Sequence, residues 1–122
     1  MPSRDPILRF EDILANIERI EARTAGMDDE AAFTDNPLVC DAVERCLERI
    51  SEAAKKPGSD AEELCPGIPW PNIRGLGKLL RHEYDRVEVF RVWYIVQDNL
   101  PPLKTAVQAA LQKLRAIGAE GS

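Results

Sequence analysis

The stretch from Gly67 to Val87, GIPWPNIRGLGKLLRHEYDRV, organises the rest of the chain. Its Gly- and Pro-rich start predicts a loop that leads into a helix. Pro71 suits the first helical position, because the amide that proline lacks would have no partner there. Beyond Asn72, apolar residues recur at helical spacing: Ile73, Leu76, Leu79 and Leu80. This spacing predicts one continuous helix with one face in the core.

The opposite face of this predicted helix is basic. Three cations fall within roughly 60° of one another at about 100° of rotation per residue, namely Arg74, Lys78 and Arg81. His82, the only histidine of the chain, lies roughly 40° from Lys78 and one turn beyond it. A basic stripe beside a histidine suits phosphate chemistry, and an ordinary solvated helix face explains the same composition equally well.

Charge is distributed unevenly along the chain. The net charge of −5 argues against a freestanding, nonspecific nucleic-acid binder. Residues 74–91 nevertheless carry five basic and three acidic side chains, so the positive excess lies on the organising segment and just beyond it.

Proline-led starts and apolar stripes predict helices in the rest of the chain. Asp5–Pro6 begins the first helix, which Gly26 ends, and Asn36–Pro37 begins another. Pro101 and Pro102 remove two backbone donors, so the C-terminal helix must kink or restart there. No window alternates strongly at period two. The sequence therefore predicts an all-α, antiparallel up-and-down bundle of about four to five main helices with a proline kink near Pro101.

Length and composition predict a single domain over residues 1–122, with a frayed tail from about residue 118. No apolar run approaches the roughly 20 residues of a membrane span, and the first residues lack a signal-peptide core. We therefore expect a cytoplasmic protein with no membrane partner. Trp70 and Trp93 lie beside apolar residues, which favours packing over base stacking. The three cysteines fit no metal-binding spacing and predict structural thiols, with no metal and no cofactor: Cys40, Cys46 and Cys65.

Several segments of the chain resemble, in the same order, those of the HepT-like toxins of the HEPN superfamily. They are Ile50–Lys56 (ISEAAKK), Gly67–Trp70 (GIPW), Ile73–Leu76 (IRGL), His82–Tyr84 (HEY) and Trp93–Leu103 (WYIVQDNLPPL). The resemblance covers roughly residues 5 to 115. These toxins are small, all-helical, metal-independent ribonucleases of prokaryotic toxin–antitoxin pairs.

The resemblance implies a function for several residues. It implies cleavage of RNA with the substrate's own 2′-hydroxyl as nucleophile and with His82 as the acid or base, a role that a pKa near neutrality suits. It implies that a nucleotidyltransferase antitoxin of the MNT type attaches AMP to Tyr84, a residue that otherwise serves as an aromatic anchor for the helix end. Arg74 and Arg86 are the expected contacts to RNA phosphates, and a two-fold homodimer is expected to bring the two signature helices together.

The chain departs from the family motif at one position. The motif places an arginine five residues before the histidine, and here that position is Gly77. The cation that stabilises the phosphate must then come from elsewhere, with Lys78 and Arg81 as the nearest candidates. A glycine in mid-helix suggests close approach of another helix, as at a dimer seam. A non-catalytic partner of the antitoxin is the alternative function, and a generic ligand-binding bundle is a third that no sequence feature favours.

Overall fold

A computed structural model describes residues 5–55, 60–82 and 86–120, and every regular element within these ranges is helical. The elements are α1 (Pro6–Thr24), α2 (Glu30–Thr34), α3 (Pro37–Lys55), α4 (Asp60–Leu64), α5 (Trp70–Arg74), α6 (Leu76–His82), α7 (Arg86–Tyr94), a π-helical turn (Ile95–Asn99) and α8 (Leu100–Glu120). The predicted all-α class is confirmed. Across these ranges, no helix is both long and apolar enough to cross a bilayer.

Side-chain caps fix where the first helices begin. The Asp5 carboxylate accepts from the amide of Ile7 at 3.0 Å, and the Asn36 side-chain oxygen accepts from the amide of Val39 at 3.2 Å. Both caps satisfy amides that the first helical turn leaves unpaired. Gly26, with φ of 83°, follows the end of α1 in a conformation that favours glycine. The predicted starts at Asp5–Pro6 and Asn36–Pro37 are confirmed.

The core is built around the α1–α3 pair. Helix α8 packs against α1, while α5 and α6 pack against α3. The stripes predicted for these helices supply completely buried side chains, among them Phe10, Ile13, Ile20, Val43, Leu47, Ile50 and Val107. Burial of these apolar faces supplies the main favourable term in folding.

Both tryptophans belong to this core, which confirms the packing role predicted for them. Trp70 is completely buried, its ring centroid lies 6.1 Å from that of Phe10, and its indole N–H donates to the carbonyl of Cys65 at 2.9 Å. Trp93 packs against Phe33 with ring centroids 5.6 Å apart. The GIPW segment is therefore anchored to α1 by its tryptophan. The three cysteines are free and buried.

A π-helical turn stands just before the two prolines, where the sequence predicts a kink or a restart. The π-helical turn precedes α8, and the amide of Leu100 donates to the carbonyl of Ile95, five residues earlier. Pro101 and Pro102 then occupy the first turn of α8. A proline ring inside a regular helix clashes with the carbonyl four residues earlier, and the wider π turn relieves that crowding. Helix α8 continues past Gly118 to Glu120, further than the sequence pattern predicts.

The organising helix differs from its prediction. It begins at Trp70 rather than Pro71, and it is interrupted at Gly75, which has φ of −80° and ψ of −10°. Two short helices, α5 and α6, therefore replace the single continuous helix. The apolar spacing continues across the break, so periodicity alone gave no sign of it.

Candidate active site on helix α6

Helix α6 carries the residues on which the predicted chemistry depends. Lys78 lies in the first half of α6 and is exposed, and His82 is the last residue of the helix. The two positions are four residues apart, which places them one turn apart on the same side of the helix. The side chains of Arg81, His82 and Arg86 lie outside the described part of the structure, as does the whole of Tyr84. Their predicted roles stay predictions.

A buried hydroxyl group fixes the start of α6. Ser51 of α3 is completely buried, and its hydroxyl donates to the carbonyl of Arg74 at 2.8 Å. The same oxygen accepts from the amide of Gly77 at 3.2 Å. The break at Gly75 interrupts the regular backbone hydrogen bonds of the helix here. The Ser51 side chain of α3 hydrogen-bonds both the Arg74 carbonyl and the Gly77 amide. The structure therefore docks α6 on α3 through Ser51.

Gly77, which stands at the position of the family arginine, is itself buried. Its amide lies against Ser51 of the same chain. The close helix approach predicted from this glycine therefore exists between α6 and α3, inside one protomer. Its predicted location at a dimer seam stays a prediction.

Arg74, predicted to bind RNA phosphate, is engaged within the fold. Its terminal nitrogens pair with the Glu62 carboxylate of α4, one of them at 3.5 Å. Its Nε donates to the carbonyl of Ala54, in the last turn of α3, at 3.3 Å. The guanidinium group thus ties α5 to α3 and α4. Of the three cations in the predicted stripe, Lys78 is exposed and Arg74 is held by Glu62.

Sequence reasoning missed Ser51 and Glu62. Ser51 sits between Ile50 and Ala53 on the buried side of an apolar stripe, and a polar residue in that position is a signal for a buried hydrogen bond. Glu62 gave no comparable signal, because its contact with Arg74 joins residues far apart in the sequence.

The candidate site is a short helix that ends at a histidine, carries an exposed lysine one turn earlier and is hydrogen-bonded to a buried serine of α3. A small all-helical bundle with this arrangement is consistent with the family that the sequence motifs resemble.

Comparison with known proteins supplies the family. The family model described as "Ribonuclease HepT-like" matches residues 13–110. A Methanocaldococcus jannaschii protein, named as a proposed RNase, is 35% identical over 114 residues, which cover 93% of this chain and 97% of that protein. A Thermococcus cleftensis protein, named as a probable ribonuclease HepT, is 38% identical over 100 residues, covering 78% of this chain and 86% of that protein. No solved structure matches significantly. The chain belongs to the HepT-like ribonuclease family of the HEPN superfamily.

Proposed function

We propose that the protein is a homodimeric, metal-independent endoribonuclease, the toxin of a type VII-like toxin–antitoxin pair. Membership of the HepT-like ribonuclease family is the observation that carries this proposal. The signature helix α6, with an exposed Lys78 one turn before His82, supports it. RNA is the substrate, and the cytoplasm is where toxin, RNA and antitoxin meet.

The proposed chemistry is an attack by the 2′-hydroxyl of the RNA on its adjacent phosphate. A base removes the 2′-hydroxyl proton as the new O–P bond forms, and the bond to the 5′-oxygen breaks as that oxygen takes up a proton. His82 is either the base that takes the 2′-hydroxyl proton or the acid that protonates the 5′-oxygen, because an imidazole titrates near neutral pH, and water makes the other transfer. Lys78 stabilises the negative charge that develops on the phosphate, with Arg81 and Arg86 as further cations. Arg74 takes part only if it leaves Glu62.

The experiment is cleavage of single-stranded RNA in the presence of EDTA. We expect His82→Ala to lower the rate by about 100-fold or more, the usual contribution of an acid–base group. Lys78→Ala should weaken cleavage strongly, and Lys78→Arg should retain part of it. Lys113→Ala is the matched control, since Lys113 is an exposed lysine of α8. A cleavage rate that is unchanged by His82→Ala would place the active site elsewhere.

Gly77 supports the second candidate, a non-catalytic partner of the antitoxin. Lysine is a point charge and cannot reproduce the bidentate contact that an arginine makes with phosphate. If the wild-type chain binds the antitoxin but cuts no RNA, and Gly77→Arg then cuts it, the chain is a scaffold that has lost its catalytic cation. Because Gly77 is buried, the stability of that variant must be measured beside its activity.

We further propose that a nucleotidyltransferase antitoxin silences the protein by attaching AMP to Tyr84. The added phosphodiester would pair with the cations that RNA phosphates otherwise use. Intact mass after incubation with the cognate antitoxin and ATP should show AMP additions that Tyr84→Phe abolishes. Tyr94→Phe is the control, because Tyr94 is an exposed tyrosine of α7 that is hydrogen-bonded to Glu30 at 3.1 Å. Loss of the additions in the control instead would move the modification site to Tyr94.

A further inference from the structure

An apolar cleft lies beside the signature helix, outside the residues assigned to catalysis. It is bounded by the GIPW loop, α5, the start of α6, the π-helical turn and the start of α8, and its volume is about 270 Å³. Ile68 and Pro69 of the loop, Leu76 of α6 and Ile95 of the π turn contribute apolar walls. Two side-chain amides, those of Asn72 and Asn99, also line it.

The lining determines what kind of ligand fits. None of the residues that line the cleft is charged, so a phosphate would find no ionic partner there. Both asparagines are exposed, and neither side-chain amide makes a hydrogen bond within the described ranges. Each amide offers donors and an acceptor. The cleft therefore suits a neutral, flat group with an apolar face and a hydrogen-bonding edge.

We propose that this cleft binds one unpaired base of the RNA substrate. Protein sites that read single-stranded RNA usually stack the base face on an aromatic or arginine side chain and hydrogen-bond its edge. In this cleft aliphatic side chains take the place of the stacking plane. Asparagine amides can match a donor and an acceptor on the same base edge. Here the apolar walls contact the base face, and Asn72 and Asn99 hydrogen-bond its edge.

The position of the cleft relates this base to the proposed cleavage. Leu76 lines the cleft, and Lys78 and His82 follow it by two and six residues in α6. At about 1.5 Å of rise per residue, these positions lie about 3 and 9 Å further along the helix axis. At about 100° of rotation per residue, the positions of Lys78 and His82 lie about 160° and 120° around the helix from Leu76. A base held in the cleft thus belongs to a nucleotide on the other side of α6 from the phosphate at Lys78, and the cleft adds a base preference at that nucleotide. This assignment rests on the proposed ribonuclease function.

Binding is tested without cleavage, by NMR titration of the full chain with neutral adenosine, cytidine, guanosine and uridine. We expect one or more nucleosides to shift the side-chain amide signals of Asn72 and Asn99, while inorganic phosphate shifts neither. Asn72→Ala or Asn99→Ala should lower the affinity about fivefold or more. Gln97→Ala is the matched control, because Gln97 is an exposed amide of the same π turn that does not line the cleft.

The outcomes separate this proposal from the ribonuclease proposal. If no nucleoside shifts either amide, or if both asparagine variants bind as the wild type does, the cleft is not a base site and is free for an apolar partner side chain. If the chain binds nucleosides through Asn72 and Asn99 but cuts no RNA, only the catalytic proposal fails. In a chain that does cut RNA, sequencing of the products should show that either variant relaxes a base preference at a fixed distance from the cleavage site and that Gln97→Ala leaves it intact.

Discussion

Ser51 is the residue on which the geometry of the candidate site most depends. Its one hydroxyl joins three helices, since it lies in α3, donates to the last residue of α5 and accepts from the second residue of α6. A buried backbone group that loses its partner costs the full desolvation penalty. Removal of this hydroxyl should therefore destabilise α6, the helix that positions His82.

We predict that Ser51→Ala destabilises the fold by about 1–3 kcal/mol, because the Arg74 carbonyl and the Gly77 amide lose their hydrogen bonds to the Ser51 hydroxyl. Relative to the wild type, the variant should show a larger increase in the hydrogen-exchange rate at the amides of α6 than at those of α1. Thr105→Ala is the control, since its hydroxyl donates to the carbonyl of Pro101 at an exposed site and should contribute within about 0.5 kcal/mol. Unchanged exchange in α6 would mean that Ser51 does not hold this helix.

Cys65 should make stability depend on alkaline pH. Burial raises the pKa of its thiol to about 11, and the thiol lies 3.4 Å from the carbonyl of Ala106. In the unfolded chain the thiol loses its proton near its ordinary pKa of 9.0. Its contribution is therefore fully present below that pH and is lost as the pH rises to about 11.

We predict that the free energy of unfolding falls more steeply between pH 9 and 11 in the wild type than in Cys65→Ala, with a difference of about 2 kcal/mol at the upper end. Urea denaturation at several pH values measures both slopes. Parallel slopes would show that the buried thiol does not set this dependence.

At the scale of the elements, the Arg74–Glu62 pair fixes the packing of α4 and α5 against α3. The Arg74 side chain is 23% exposed, and its Nε also donates to a carbonyl in the last turn of α3. That carbonyl belongs to Ala54, near the C-terminal end of α3. Within the described residues, no amide of α3 donates to it, so a charged donor there is favourable. This contact gives Arg74 a structural role that the basic stripe alone did not suggest.

We predict that Arg74→Ala lowers stability by about 1–3 kcal/mol and that Glu62→Ala lowers it by less than about 1 kcal/mol. The double variant should show coupling of about 0.5 kcal/mol or more. Arg115→Ala is the control, because Arg115 forms an exposed pair with Glu11 at 2.7 Å and should contribute little. If Arg74→Ala instead leaves stability unchanged and weakens RNA binding, the phosphate role predicted from the sequence is the correct one.

At the scale of the whole molecule, the proposed two-fold dimer brings the two signature helices to one groove. The structure makes this testable by cross-linking, because the three native thiols are buried and an engineered surface thiol would be the reactive one. Lys78 and Lys113 are both exposed, and they lie on α6 and α8 respectively.

We predict that the chain sediments as a dimer at micromolar concentration. Lys78→Cys should yield a covalent dimer with a short bis-maleimide, because a two-fold axis beside α6 places the two copies of position 78 near each other. Lys113→Cys should not. A monomer in sedimentation, or equal cross-linking of both variants, would exclude this arrangement.

The sequence predicted the fold class correctly because periodicity and caps are local. Asp5–Pro6, Asn36–Pro37 and the paired prolines each act on backbone within a few residues, so the places where helices begin could be read directly. The order of the family-like segments predicted the family, which the comparisons confirm. The roles predicted for the site residues stay predictions.

Other features were decided only by tertiary packing. The break at Gly75 cannot be read from apolar spacing, since it is the distant hydroxyl of Ser51 that satisfies the groups around it. Arg74 looked like one member of a basic face, yet Glu62 of a separate helix binds it. Local sequence therefore determined which segments are helical and which residues have suitable chemistry. Long-range hydrogen bonds and ion pairs decided which of those side chains stay available, because their partners become neighbours only when the chain folds.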